Sequence, residues 1–282
     1  GKDKGHFRET MRRLFKNKMA IAALIFVILL LLVAIFADVL APYDYAKQDH
    51  NAIFEGSSSK HLLGTDSLGR DILSRLIYGS RQSLAIALLS VAIAASIGIV
   101  IGSIAGYYGG VVDNVLMRFL DIYQSIPVLI LSIALAAAFG PGIFNTILAL
   151  GISVCPYFAR MMRASTISVR SREFINAARA DNAGDLRIII KHVLPNAFAP
   201  MIVTITLSIG SSFLTAATLS FVGLGAQPPE PEWGAMLTAA RTYFRDYPTL
   251  IIYPGICIML SVLAFNILGD GLRDALDPRL KK

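Results

Sequence analysis

The chain has 282 residues, of which 55% are hydrophobic and only 16% charged, well under the roughly 25% charged residues of an average soluble domain. Its charges are also unevenly placed. No Asp, Glu, Lys or Arg occurs in Ala20–Ala37, Gln82–Val112, Ile122–Ala159, His192–Pro229 or Tyr247–Gly269. A soluble globular chain is excluded, because runs of about 20 apolar residues match the roughly 30 Å hydrocarbon core of a bilayer.

The N-terminal segment, residues 1–19, reads as a cytosolic amphipathic stretch. Phe7, Met11, Leu14 and Phe15 recur at helical spacing among cations, which predicts a short helix at the lipid surface. The first span, residues 20–40, holds 18 apolar residues from Ala20 to Ala37, and 13 of them are Leu, Ile, Val or Phe. A basic segment before an apolar run also fits a signal peptide. The length of the run, with no A-x-A-like site in Asp38-Val39-Leu40-Ala41-Pro42, favours a retained helix.

Residues 41–82 form an external segment. It ends in a turn and an amphipathic stretch in which Ile72, Leu73, Leu76 and Ile77 share a face and Asp71 is one turn from Arg75. An interfacial helix leading into the second span is expected, with an Asp71–Arg75 pair. Residues 83–270 then hold five more spans. The second carries Gly98, Gly102 and Gly106 at four-residue intervals, a stripe on which another helix backbone can approach closely. The window Ile122–Ala159 is too long for one span, and Gly140-Pro141-Gly142 divides it; Pro127 marks a kink or a start in the third span. The fourth window holds one span between Pro195/Pro200 and Gly223-Leu224-Gly225, and the fifth the last, before a tail at 271–282. Six transmembrane helices in an all-α integral membrane protein result.

The net charge of +7 follows the topology. With the N-terminus inside, Lys and Arg number seven before Ala20, one in Gly106–Leu120, seven in Arg160–Lys191 and four from Arg273 on, against seven in the outer segments. Nineteen cations against seven obeys the positive-inside rule and places both termini in the cytosol. Nucleic-acid binding is not needed to explain the charge.

No charged residue falls inside a window, so the acidic or basic relays of ion-coupled carriers are missing. No G-x-x-x-x-G-K-[ST] loop occurs, nor a nucleophile–base set. Cys155 and Cys257 lie in apolar spans as small hydrophobes, and His6, His50, His61 and His192 are too scattered for a metal site. The energy for any work must come from another chain. A stand-alone membrane enzyme or channel is the distant alternative, though no charged ring marks a pore.

The cytosolic loop 160–195 is the most informative segment. Glu173 to Lys191 reads as a helix, a turn near Asn182–Gly184, and a second helix stopped before Pro195. Ala177, Ala178 and Ala180 make the first helix slim, suited to a groove on a partner. On that reading Ala178→Trp would hold it out of the groove.

The loop resembles the coupling loop of ABC importer permeases, which runs Glu-Ala-Ala, three residues, Gly, nine residues, Ile, one residue, Leu-Pro. The match falls on Asn176-Ala177-Ala178, Asn182, His192 and Leu194-Pro195, with Asn176, Asn182 and His192 replacing the acid, glycine and isoleucine. His61–Tyr78, Phe221–Pro229, Glu232-Trp233-Gly234 and Phe265–Leu280 resemble segments of dipeptide and oligopeptide permeases of the C-subunit type. The resemblance implies a type I ABC importer transmembrane core. It implies that Asn176, Ala177, Ala178, Arg179, Ala180, Asp181, Asn182, Ala183, Gly184, Leu194 and Pro195 form the ATPase-coupling surface. It also implies a bacterial cytoplasmic membrane location and a heterodimer with a second permease subunit. Two ATP-binding subunits that hold the ATP and Mg, and an extracytoplasmic peptide-binding protein, complete the assembly. This chain itself would bind no cofactor and catalyse no reaction. Di- or oligopeptide import is the function implied, with nickel chelates or glutathione-like compounds as the alternative cargo; pathway residues are left unassigned. If glycine serves a backbone need in that pattern, Asn182 should have positive φ; the alternative is that it continues a helix.

Overall fold

The structure is a computed structural model describing residues 12–276. Residues 1–11 of the N-terminal amphipathic segment, with Phe7 and Met11, therefore lie outside the described residues. From it, Leu14 is buried beside Ala20 and Ala275. Helix α1 (Lys18–Ile35) starts where Asn17 accepts hydrogen bonds from the N–H groups of Met19 and Ala20 at 3.0 and 3.2 Å, an N-cap that satisfies two otherwise orphaned donors. Ala20, Ala23, Val27, Leu30 and Ala34 recur at helical spacing and face the protein. Ile25, Leu29 and Leu32 face outward, as a lipid-facing helix requires.

Helix α2 (Ile72–Tyr108) has 37 residues, about 55 Å at 1.5 Å per residue, far more than the bilayer core needs. The expected interfacial helix and second span are thus one continuous rod whose first turns stand outside the membrane. The expected Asp71–Arg75 pair does not form. Asp71 is the N-cap, accepting from the Ser74 N–H and hydroxyl at 2.7 Å, and it meets His61 Nδ1 at 2.9 Å. Capping and a buried imidazole outcompete an i,i+4 pair worth a few tenths of a kcal/mol. Arg75 instead donates to the carbonyls of Tyr45 and Pro229.

The glycine stripe does what its spacing foretold, against helix α5 (Ile143–Arg170). A Cβ on Gly98 would land on Phe158, one on Gly102 on the Ala159 carbonyl, and one on Gly106 2.7 Å from Thr166 Cβ. Gly102→Val should therefore force α2 and α5 apart. The expected outcome is a sharp drop in monodisperse protein on detergent size-exclusion chromatography, while Gly255→Ala, where a Cβ meets open space, behaves as wild type.

The third span is broken. Helix α3 (Gly110–Gln124) and helix α4 (Val128–Phe139) meet at 83° across Ser125–Pro127. Pro127 starts α4, and α4 with 12 residues, about 18 Å, is too short to cross alone. Among the described residues five helices are long and apolar enough to span, six when the bent pair is counted as one span. Gly140 and Gly142 have φ of 90° and 136°, values open to glycine, and turn the chain from α4 into α5 at the expected division. The charges flanking this window pair across α3 and α5: Arg160 with Asp121 at 2.6 Å and Arg163 with Asp113 at 2.5 Å.

Helix α6 (Glu173–Ala180) sits in the loop after α5; α7 (Ala199–Phe221), α8 (Trp233–Ala240) and α9 (Thr249–Leu276) follow. At the end of the bundle opposite α6, Gly142 N–H donates to the Leu224 and Gly225 carbonyls, tying the α4–α5 turn to the end of α7. Buried Glu232 caps α8 and accepts from Ser83 and Ser220, while Trp233 Nε1 donates to the Leu76 carbonyl at 3.0 Å. The Glu232-Trp233-Gly234 segment thus anchors the loop between α7 and α9 on α2 and α7. At the other end, the starts of α1 and α7, the ends of α2, α5 and α9, and α6 lie together.

Candidate functional site

Two apolar anchors fix the loop after α5 to the bundle. Ile175 on α6 and Ile188 beyond the turn are both 0% exposed. Outside the membrane, burial of each contributes roughly 1.5–3 kcal/mol. With Ile175 pointing inward, the neighbouring positions are set. Ala178 is half-buried and packs on the same core, while Phe174, Asn176, Ala177, Ala180 and Asp181 are exposed. The slim face is therefore Ala177 with Ala180. The expectation for Ala178 changes accordingly: a bulky residue there would wedge the loop off its own bundle.

α6 ends in a complete Schellman motif. Asn182 N–H donates to the Arg179 carbonyl at 3.0 Å and Ala183 N–H to the Ala178 carbonyl at 3.1 Å. Asn182 sits at the left-handed position with φ 58°, so it terminates the helix and does not continue it. Asparagine is one of few non-glycine residues that enter this region readily, and it does so here where the coupling pattern has glycine. Half-buried Ala183 adds the apolar contact that accompanies the motif, and Gly184 precedes the next helical turn.

The second arm does not stop before Pro195. Asp185–Ile188 is α-helical, Ile189–Val193 is a π-helical turn, and Leu194–Ala197 resumes the α-helix with Pro195 in its first turn. Proline is tolerated there because it opens the new segment after the widened turn. Val193 is buried, His192 and Leu194 are half-buried, and Pro195 is exposed.

A polar link joins the loop to α2. The Tyr107 hydroxyl donates to Asp185 Oδ1 at 2.6 Å, and the Arg179 guanidinium lies 5.3 Å over the Tyr107 ring. These contacts tie the α6 turn to the last residues of the glycine-striped helix.

Sequence reading left the pathway unassigned, and the structure brings together residues it could not connect. A cavity of about 390 Å³ between α5 and α7 is lined by Gln124, Ser153, Tyr157, Ser208, Ser211 and Thr215. Toward the end that carries α6 it adjoins one of about 430 Å³ bordered by Tyr157, Thr204 and Arg273. The break in the third span opens on the same side, where Asp121, Gln124 and Arg160 line a further cavity. Irregular backbone at membrane depth is tolerated where it borders such a space. Small hydroxyl residues interrupting apolar windows were the available signal, but helix pairing decides which of them meet.

Residues 98–282 match the family described as the inner membrane component of binding-protein-dependent transport systems. The chain belongs to this family. Residues 6–57 also match the N-terminal transmembrane domain of oligopeptide transport permease C. Among similar proteins, the dipeptide transport system permease protein of Alkalihalophilus pseudofirmus is 45% identical over 275 residues, covering 98% of this chain and 90% of that one. The glutathione transport system permease protein of Pectobacterium atrosepticum is 46% identical over 276 residues, 98% and 92% of the two chains. The di/tripeptide transport system permease protein of Pseudomonas aeruginosa is 46% identical over 271 residues, 94% and 89% of the two chains. An inward-facing structure of the MetNI methionine ABC transporter superposes with a TM-score of 0.58 at 21% identity, covering 71% of this chain and 96% of that one. An amino acid ABC transporter gives 0.54 at 16% identity, 70% and 92%. The all-α core thus has the type I ABC importer permease fold, and the chain is a multi-span permease subunit of such an importer.

Proposed function

We propose that this chain and a second permease subunit enclose the membrane pathway of a di- or oligopeptide importer, driven by two ATP-binding subunits that hold ATP and Mg. The observation that carries the coupling half of this reading is the α6 face. It is slim at Ala177 and Ala180, exposed, and held by Ile175 and the Asn182 turn. A rigid presented helix of this kind suits a groove on a partner. Asn176, Arg179 and Asp181 flank it, Leu194 and Pro195 follow on the second arm, and the Tyr107–Asp185 bond would carry its displacement into α2. ATP-driven closure of the partner subunits would draw paired α6 helices together and open the pathway outward, where an extracytoplasmic binding protein delivers its cargo.

The cargo side rests on the groove that Ser153, Ser208, Ser211, Thr215 and Gln124 line together with Val128, Val154 and Leu207. Neutral hydroxyl and amide groups can hydrogen-bond a peptide backbone while leaving varied side chains room. Names of relatives support peptides, and glutathione, itself a peptide, is the second reading. Peptide-stimulated ATP hydrolysis by the reconstituted complex and its binding protein should be seen with di- and tripeptides. No stimulation by any member of a peptide panel would refute peptide cargo. The isolated chain should hydrolyse no ATP, since its sequence has no phosphate-cradling loop.

The orientation follows from the cation bias and places the termini and α6 in the cytosol. Leu186 is exposed on the loop. In intact cells, Leu186→Cys should resist a membrane-impermeant maleimide and react after permeabilisation; labelling without permeabilisation would invert the topology.

A further inference from the structure

Around the far end of α7 lies a second polar cavity, with a lining distinct from that of the groove between α5 and α7. Arg70, in the turn before α2, and Arg75, in the first turn of α2, are 7% and 5% exposed. One carboxylate lies between them: Asp66 Oδ2 is 2.7 Å from Arg70 Nε and 3.7 Å from Arg75 Nε. Arg75 Nη1 spends its donors on the Tyr45 and Pro229 carbonyls. No hydrogen bond from either Nη of Arg70, or from Nη2 of Arg75, is present among the described residues. Arg70 and Arg75 both line a cavity of about 220 Å³, to which α8 contributes Ala235, Thr238 and Ala239. Glu230 lines the same cavity, its Oε2 accepting from Gln82 Nε2 at 2.9 Å.

These free Nη donors are not sealed from solvent, since the buried side-chain atoms without a partner among the described residues are His61 Nε2 and Thr166 Oγ1. They remain open to a ligand, and a planar fork of this kind matches a carboxylate. Asp66 and Glu230 balance the two arginines in number, so the cavity has no net charge to attract a bare anion. A bare anion would also meet Glu230, whereas a molecule with both charges can pair with lining groups of each sign. The volume is below the 300–1,000 Å³ of sites for drug-sized ligands, so the occupant is small.

We propose that this cavity is a subsite at the outer mouth for a small zwitterion, whose carboxylate is clamped by Arg70 and Arg75 and whose ammonium is taken by Glu230. This rests on the proposed orientation and peptide cargo, and it adds a waystation outside the membrane, before the groove.

Equilibrium dialysis of radiolabelled alanyl-alanine against the full chain in lipid nanodiscs, without a binding protein, tests it. Saturable binding is expected, with competition by unlabelled alanyl-alanine but not by its C-terminal amide or N-acetyl form. Arg70→Gln should weaken binding by about tenfold or more, the equivalent of one lost charge-assisted interaction of roughly 1.4 kcal/mol. Because Arg70→Gln also disturbs the Asp66 turn, Thr238→Leu is the second variant. It fills the cavity from α8 without touching that turn and should weaken binding to the same extent. Absence of saturable binding to the wild-type chain, wild-type affinity in Thr238→Leu, or equal competition by the amide would overturn the proposal. Peptide uptake by the complete importer is read separately. An importer that moves no peptide, built from a chain that binds through this cavity, would sink the cargo reading and leave the subsite standing.

Discussion

Replacing Ala177 with tryptophan should abolish uptake by the assembled importer while leaving membrane insertion and the isolated chain's fold intact. Ala177 is exposed on the slim face of α6, one residue from half-buried Ala178 and two from fully buried Ile175. The added indole meets none of this chain's core, so the chain has no reason to misfold. It does stand between α6 and whatever groove receives it. A steric loss of only about 1.4 kcal/mol at the centre of a docking surface is a tenfold loss of affinity, and hot-spot positions commonly exceed 2 kcal/mol. Ala177→Ser, nearly isosteric, should transport as wild type. Co-purification with the ATP-binding subunits, measured beside uptake, separates lost docking from lost folding. Full uptake by Ala177→Trp would remove this face from the coupling reading.

The second large effect is expected at Asn182. Its φ of 58° belongs to the Schellman turn that sets how α6 leaves the bundle. A β-branched residue there costs about 1–2 kcal/mol or more in backbone strain, whereas glycine costs nothing sterically. Asn182→Gly should therefore keep transport. Asn182→Val should unwind the turn, misaim α6 and leave ATP hydrolysis poorly linked to uptake. The ratio of ATP hydrolysed to peptide imported should rise several-fold in Asn182→Val, and an unchanged ratio would show that the turn geometry does not matter for coupling.

The spans were legible because lipid offers the backbone no partners, so long charge-free windows have few other fates. Gly98, Gly102 and Gly106 disclosed a helix contact from spacing alone, and Asn182 disclosed a left-handed turn from its place in a glycine pattern. Other features depend on tertiary choices. Asp71 had two uses, an i,i+4 pair or a cap, and buried His61 from ten residues away tipped the balance. The inward turn of Ala178 follows from Ile175 docking under α6, and nothing local distinguishes Ala177 from Ala178. Pro127 announced a break but not its 83° angle. The groove residues come from α3, α5 and α7, so no single segment could reveal Ser153 beside Ser211.

The most direct test of the central claim is uptake of radiolabelled dipeptide into proteoliposomes containing the complete importer, with ATP on the side of the ATP-binding subunits and the binding protein opposite. Accumulation above the external concentration is expected with wild-type chain and its loss with Ala177→Trp. Absence of ATP-dependent accumulation in a correctly assembled wild-type complex, for every di- and tripeptide offered, would contradict the account.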